Sequence, residues 1–242
     1  MRHHSIAEPA PHIVVWRYMP FHHFNDLVTS KALHLTRLDQ FADKHEGYIP
    51  NPNSVPTGWD ILSQAHAWAW RHITFVSCWH ISPHENSLMW PSYGGVTEGV
   101  VIRSTTGKLA AIATYNISNS YIAEVIYDPW PTPIPPGGHW QLPIRKRPEF
   151  SSEMELRFVH EDIDLAVMDD FAQLGAAPPG HWPTFKKVQL DGLPLIDEIR
   201  LNPGASSDLK SRVTQSARDS GILCPISDSA LTPAPIWFDP KP

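Results

Sequence analysis

Hydrophobic and polar residues alternate most sharply in Pro148–His160, PEFSSEMELRFVH. The pattern predicts a strand with Met154, Leu156 and Phe158 on one side and Glu153, Glu155 and Arg157 on the other. Alternate residues on a strand lie roughly 7 Å apart, so both carboxylates can reach one ligand, with Arg157 at hand to tune them or to hold an anion. The same charges also suit a half-exposed strand whose polar face is simply solvated.

Upstream, Ile13–Met19 is an apolar run of strand formers ended by Pro20, with Arg17 charged in its middle and in need of a partner or ligand. Phe24, Leu27 and Val28 fall at helical spacing within Phe21–Lys31, and Leu33–Arg37 alternates as a second strand. Asp39–Trp59 turns from charged to Pro- and Asn-rich and is predicted to be a long loop that can cap a site. A helix is predicted over Asp60–His72, then a strand over Ile73–Trp79 with Thr74, Val76, Cys78 and His80 on one face and Phe75, Ser77 and Trp79 on the other. Gly99–Arg103 and Tyr121–Tyr127 are further strands, and Lys108–Ala113 is a short helix. Pro- and Gly-rich DPWPTPIPPGGHWQLP then delivers the chain to the Glu153 strand. Beyond it come strands at Lys186–Leu190 and Pro194–Leu201, and a helix over Asp208–Asp219 capped by Ser206 or Ser207 and ended by Gly221. The predicted organisation is a loose arm at 1–12, a single α+β domain at 13–222 and a Pro-rich tail at 223–242.

Composition narrows the function classes. A net charge of −6 argues against a dominant electrostatic footprint for nucleic acid or anionic membrane, leaving only a local basic patch at Arg145–Arg147. Twenty-five prolines imply many loops of fixed φ, and ten tryptophans suit either a core or stacking on a planar ligand. Two cysteines, Cys78 and Cys224, imply no disulfide framework and fit a reducing compartment. No apolar run long enough to cross a membrane and no signal-peptide pattern is present, so a soluble cytoplasmic protein is expected.

Several segments, taken in order, resemble the bacterial family known as domain of unknown function 2971. They are WRYM at 16–19, LHLTRLDQFADKHEG at 33–47, FVSCWH at 75–80, LMWPSYGG at 88–95 followed by GVVI, EMELRF at 153–158 and IDEIRLNPGAS at 196–206. The layout is also similar to ADP-ribosyltransferases, in which an early strand carries Arg or His, a second strand carries Ser or Thr, and a late strand carries a Glu-x-Glu or Gln-x-Glu pair. The matching positions are Arg17, Thr36 and Glu153-x-Glu155. The resemblance implies a split, mainly antiparallel sheet with short flanking helices and long Pro-rich loops, and NAD as the substrate. It makes Glu155 the carboxylate that stabilises an oxocarbenium-like state and Glu153 the group that positions the incoming nucleophile, with Arg157 beside them. Arg17, Tyr18, Thr36, Arg37, Ser77, Trp79, His80, Trp90 and Tyr93 are then the expected NAD-binding residues. Arg17 grips phosphate or ribose oxygens, and Trp79, Trp90 or Tyr93 stacks on nicotinamide.

Other constellations are weaker. Pro83 disfavours the helix that would join His80 and His84 at a metal, so no metal site is expected. Cys78 and His80 share a face but lack a nucleophile signature. No glycine pattern of a dinucleotide-binding Rossmann fold or of a P-loop occurs. The sequence therefore points to an NAD-dependent ADP-ribosyltransferase acting on an unidentified protein or nucleic acid, in the manner of a toxin or anti-phage effector, with an antitoxin-like protein as a possible partner. A nucleotide-sensing or protein-binding module is the alternative, and a metal-dependent nuclease the second alternative.

Overall fold

The predicted strand–helix–strand start is present and sets the architecture. In the computed structural model, which describes residues 7–47, 70–95, 97–115, 119–129, 139–162 and 182–231, β1 (Val14–Pro20) leads through α1 (Phe21–Ser30) into β2 (Ala32–Arg37). Pro20 ends the strand and supplies the N-cap. Lys31 leaves the helix in the left-handed conformation, its N–H donating to the Leu27 carbonyl. β3 (Thr74–Ile81), β4 (Gly99–Thr105), β5 (Ser120–Glu124), β8 (Glu155–Glu161), β9 (Phe185–Gln189), β10 (Glu198–Leu201) and β11 (Ile226–Asp228) complete one nine-stranded sheet. All its pairs are antiparallel except β10 with β11. Two short strands, β6 (Ile126–Tyr127) and β7 (Arg145–Lys146), pair in parallel beside it.

The sheet is split at β3. One edge of β3 is covered by β8 from Thr74 to His80, while the other is shared: β1 reaches it at Val15–Trp16 and β2 at Thr36–Arg37. Arg17 bridges the two diverging strands, its Nη2 donating to the His34 carbonyl at 3.0 Å and its guanidinium lying 5.9 Å from the Trp79 ring centroid. Burial pulls its pKa down to about 10, with a smaller opposing contribution from Cys78.

Alternation along the strands separates a core face from a second face. Val15, Met19, Phe75, Trp79, Leu156, Phe158, Ile102 and Ile199 are buried together with Phe24, Leu27 and Val28 of α1. The same core takes in Leu109 and Ile112 of α2 (Thr106–Tyr115) and Leu209, Val213 and Ala217 of α3 (Ser207–Asp219). Among the described residues, α1, α2 and α3 therefore all pack on this side. Ser206 caps α3 as the sequence suggests, its Oγ accepting from the Leu209 N–H at 3.1 Å. Trp16 and Tyr18 point to the opposite face, where Trp90 and Val101 join them.

Four expectations need correction. The strand expected over 148–160 begins only at Glu155: Pro148–Glu153 is a 3-10 helix, and Met154 closes it in the left-handed conformation (φ 40°), donating its N–H to the Ser151 carbonyl. Pro148 starts that turn readily because its φ is preset and it needs no donor. The charged face of β8 is also not solvated, since every residue of the strand is buried. The strand expected over 194–201 is confined to β10, and a strand, β11, lies within the segment read as the tail. Residues 48–59 of the loop expected over 39–59, most of the helix expected over 60–72 and residues 130–138 of the Pro- and Gly-rich stretch fall outside the described residues.

Candidate active site

The antiparallel register of β3 and β8 sets His80 opposite Glu155 and Cys78 opposite Arg157, so all four side chains leave the sheet on the face away from the helices. Above them lies a cavity of about 240 Å³. Glu155 and Glu153 line it, Trp16, Tyr18, Phe41, Tyr93 and Phe150 form aromatic walls, and Lys146 is the cation among its lining residues.

Glu155 is 4% exposed and Arg157 fully buried. The guanidinium binds the carboxylate through two hydrogen bonds, Nε to Oε1 at 2.7 Å and Nη2 to Oε2 at 3.1 Å. Arg157 also donates to Glu46 Oε2 at 2.5 Å and to the Pro143 carbonyl at 2.6 Å. Lys146 Nζ approaches Glu153 at 2.5 Å, Glu155 at 3.3 Å and Glu46 at 3.5 Å. Two cations and three carboxylates thus form one network, with Glu46, Glu155 and Arg157 buried and Glu153 half-buried at its edge. The Glu155 N–H donates to the Tyr127 hydroxyl at 2.9 Å, which fixes the backbone where the strand begins.

Burial by itself raises the Glu155 pKa, but Arg157 and then Lys146 outweigh it and hold the carboxyl at about 2, so it is ionised at any working pH. Burial likewise works against the Lys146 ammonium, and Glu155 and Glu46 overcome it, leaving its pKa well above the usual lysine value. A depressed carboxyl pKa contributes stability that is complete above the unfolded value and lost as pH falls through the folded one. Unfolding free energy is therefore expected to fall between about pH 4.5 and 2, and urea titrations at several pH values should show a shallower fall for Glu155→Gln.

Glu153 does not share the strand face with Glu155, yet the left-handed Met154 swings it to the same ammonium. Tyr93, 43% exposed on a π-helical turn over Trp90–Gly94, donates its hydroxyl to Glu153 Oε1 at 2.8 Å. His80 Nδ1 lies 2.6 Å from the Glu153 carbonyl oxygen, a contact made when that nitrogen carries the proton. Burial and the neighbouring Glu153 raise the Tyr93 pKa, which keeps the phenol a donor. Met154 is 52% exposed, so its conformation rather than its packing matters. A β-branched residue tolerates φ 40° poorly, and Met154→Val is expected to destabilise the chain by about 1–2 kcal/mol in urea unfolding.

Of the expected binding residues, Tyr18, Trp79, His80 and Tyr93 line the cavity. The Trp79 ring, however, belongs to the core, and its Nε1 donates to Ser77 Oγ at 3.1 Å on that same face. Trp90 is buried edge-on against Tyr18, with ring centroids 5.0 Å apart. Arg17, Thr36, Arg37, Ser77 and Trp90 are not among the lining residues. Thr36 pairs with Val76 on β3, and Arg37 is held by Asp39 and by the carbonyls of Trp182 and Pro183. Arg157 lies beneath Glu155 rather than in the opening. The basic run at 145–147 is no open patch, since Arg145 pairs with Asp128, Lys146 with three glutamates, and Arg147 with Asp43 and Glu149.

Glu46, Lys146, Asp43, Phe41, Phe150 and Tyr127 complete the site without having been singled out from the sequence. Their signal was faint: an acidic loop at 39–47 and a basic run next to an acidic one. Burial, and then Glu155, drive the Cys78 thiol pKa up, the opposite of what a nucleophilic cysteine needs. Among the described residues no group of three His, Cys, Asp or Glu is arranged to hold a metal ion, and Lys146 stands between Glu46, Glu153 and Glu155.

The chain thus has a mixed α/β fold built on a split, mainly antiparallel sheet, with a buried glutamate network under an aromatic cavity. No family model matches it, so the resemblance to domain of unknown function 2971 rests on its motifs alone. No curated protein matches it either. Among solved structures, Thermus sp. 2.9 DarT in complex with carba-NAD+ is similar at 11% identity, covering 91% of this chain and 96% of that one with a TM-score of 0.38. Thermus sp. 2.9 DarT in complex with NAD+ is similar at 11% identity, covering 92% and 97% with a TM-score of 0.37. Likeness at this level carries no chemistry over to this chain, whose site is read from its own residues.

Proposed function

We propose that the chain is an NAD-dependent ADP-ribosyltransferase whose reaction takes place over Glu155. The observation that supports this most is a permanently ionised, buried carboxylate in an aromatic cavity, with a second carboxylate two residues earlier on the same Lys146 ammonium. Cleaving the bond between nicotinamide nitrogen and ribose C1′ sends the bonding electrons to nicotinamide and leaves positive charge on the ribosyl carbon. A fixed negative charge in a dry site stabilises that charge without reorganising. Glu155 supplies it, and the clamp of Arg157 and Lys146 keeps it from protonating. Glu153, nearer the opening and hydrogen-bonded to Tyr93, takes the proton of the incoming nucleophile as the new bond to C1′ forms. Tyr93 and Phe150 offer ring faces for nicotinamide or for the acceptor.

The acceptor is a macromolecule, protein or nucleic acid, and a toxin or anti-phage role with an antitoxin-like partner follows if its modification is harmful. The domain is taken to start at 13 and to run past 222 through β11, which pairs with β10. Incubating the full chain with adenylate-labelled NAD and cell lysate tests the reading. Label transferred to a macromolecule supports it; NAD left intact at millimolar concentration counts against it.

A second reading has its own support. Lys146, the cation among the described lining residues, is held by three carboxylates, so among the described residues no lining cation is spare for a pyrophosphate. Aromatic walls beside carboxylates suit an organic cation bound without chemistry, as in a sensor or binding module. Calorimetry with 1-methylnicotinamide and with NAD separates the two readings: binding of the first without turnover of the second favours the module.

A further inference from the structure

Glu85 lies outside the cavity, yet its buried carboxylate, in a residue 8% exposed, gathers donors from three separate parts of the chain. Oε1 accepts from Arg200 Nη1 of β10 at 2.9 Å and from the Ala230 N–H at 2.5 Å. Oε2 accepts from Ser229 Oγ at 2.7 Å and from Trp90 Nε1, at the start of the π-helical turn, at 3.3 Å. The donors Ser229 and Ala230 directly follow β11, and Leu231 packs against the Trp16, Tyr18, Trp90 and Val101 cluster.

The residues on either side of Glu85 touch the cavity wall. Trp16 donates to the Ser82 carbonyl at 2.9 Å, with the Arg200 guanidinium 5.1 Å from its ring centroid. The Asn86 N–H donates to the Tyr18 hydroxyl at 2.6 Å, and Asn86 Nδ2 stands 3.4 Å from His80 Nε2. The loop from Ser82 to the π-helical turn therefore carries Met89 and Tyr93 onto the cavity, and Glu85 ties that loop to β10 and to the segment after β11.

We propose that Glu85 is a positioning residue through which Ser229–Leu231 sets the geometry of the Glu155 cavity, so that displacing this segment loosens the wall formed by Tyr18, Met89 and Tyr93. A buried carboxylate that loses part of its donor set must find water, and the nearest route is to lift the loop. The proposal rests on the cavity being the working site, but not on NAD being its substrate. It gives the C-terminal segment a regulatory hold on that cavity.

The test uses the two cysteines. Cys78 lines the cavity, and Cys224 borders a different one. In the full chain carrying Cys224→Ser, Cys78 is the sole thiol, and its alkylation by N-ethylmaleimide reports access to the site. Glu85→Gln is expected to raise the alkylation rate at least about tenfold and Ser229→Ala a few-fold, with the double variant matching Glu85→Gln alone, because Ser229 acts through Glu85. Glu85→Asp should restore part of the protection. Urea unfolding measured in parallel separates local opening from general weakening. An alkylation rate that is unchanged, that tracks only the loss of global stability, or that rises additively in the double variant overturns the proposal. Should Glu85→Gln fail to fold, Ser229→Ala and Arg200→Met carry the same comparison. Nicotinamide release assayed on the same samples shows independently whether the transferase reading fails.

Discussion

Glu155→Gln is expected to slow nicotinamide release from NAD by at least about a hundredfold, with NAD affinity changed by no more than about threefold. The amide matches the carboxylate in size but carries no charge, so what is lost is stabilisation of the developing ribosyl cation and not the shape of the cavity. The effect should therefore fall on kcat rather than KM. Some stability goes with it. Arg157 keeps Glu46 and the Pro143 carbonyl but exchanges a charged bidentate partner for one neutral oxygen, at a cost of about 1–3 kcal/mol. Single-turnover assays with calorimetric NAD titration read both quantities. A variant that keeps its turnover would mean that the Glu155 charge does no chemistry.

Arg157→Met should produce the largest loss of stability in the chain, about 3–5 kcal/mol, because it leaves Glu46 and Glu155 buried with only Lys146 to face them. The cost of such a network lies in stranded charge more than in lost attraction. Removing the charges as well, in Arg157→Met combined with Glu46→Gln and Glu155→Gln, should therefore recover part of the loss. Urea midpoints for the three chains check this. A triple variant weaker than Arg157→Met alone would mean that the glutamates stabilise the fold independently of the arginine.

The parts of the molecule set by local pattern were legible beforehand. The β1–α1–β2 start, the Ser206 cap of α3 and the shared face of Glu155 and Arg157 follow from periodicity over a few residues. Glu153 was misplaced because alternation continues through SEMELRF, while Pro148 and the left-handed Met154 fold the first part of that segment into a turn. The acidic loop and the basic run each looked like solvated surface. Only the fold brings Glu46 to Arg157 across 111 residues of chain and sets Lys146 among three glutamates. Arg17 shows the opposite limit: its charge within an apolar strand pointed to a partner, and the partners are a main-chain carbonyl and a tryptophan ring at the split in the sheet. The abundance of tryptophan was ambiguous by nature, and Trp79 and Trp90 went to packing.

The most direct measurement is nicotinamide release from NAD by the purified full-length chain, followed over time beside a calorimetric titration of the same sample. Time-dependent release together with saturable NAD binding is the result expected if the ionised Glu155 works on the glycosidic bond. Absence of both at millimolar NAD, with 1-methylnicotinamide still bound, would contradict it and leave the cavity as a receptor for an organic cation.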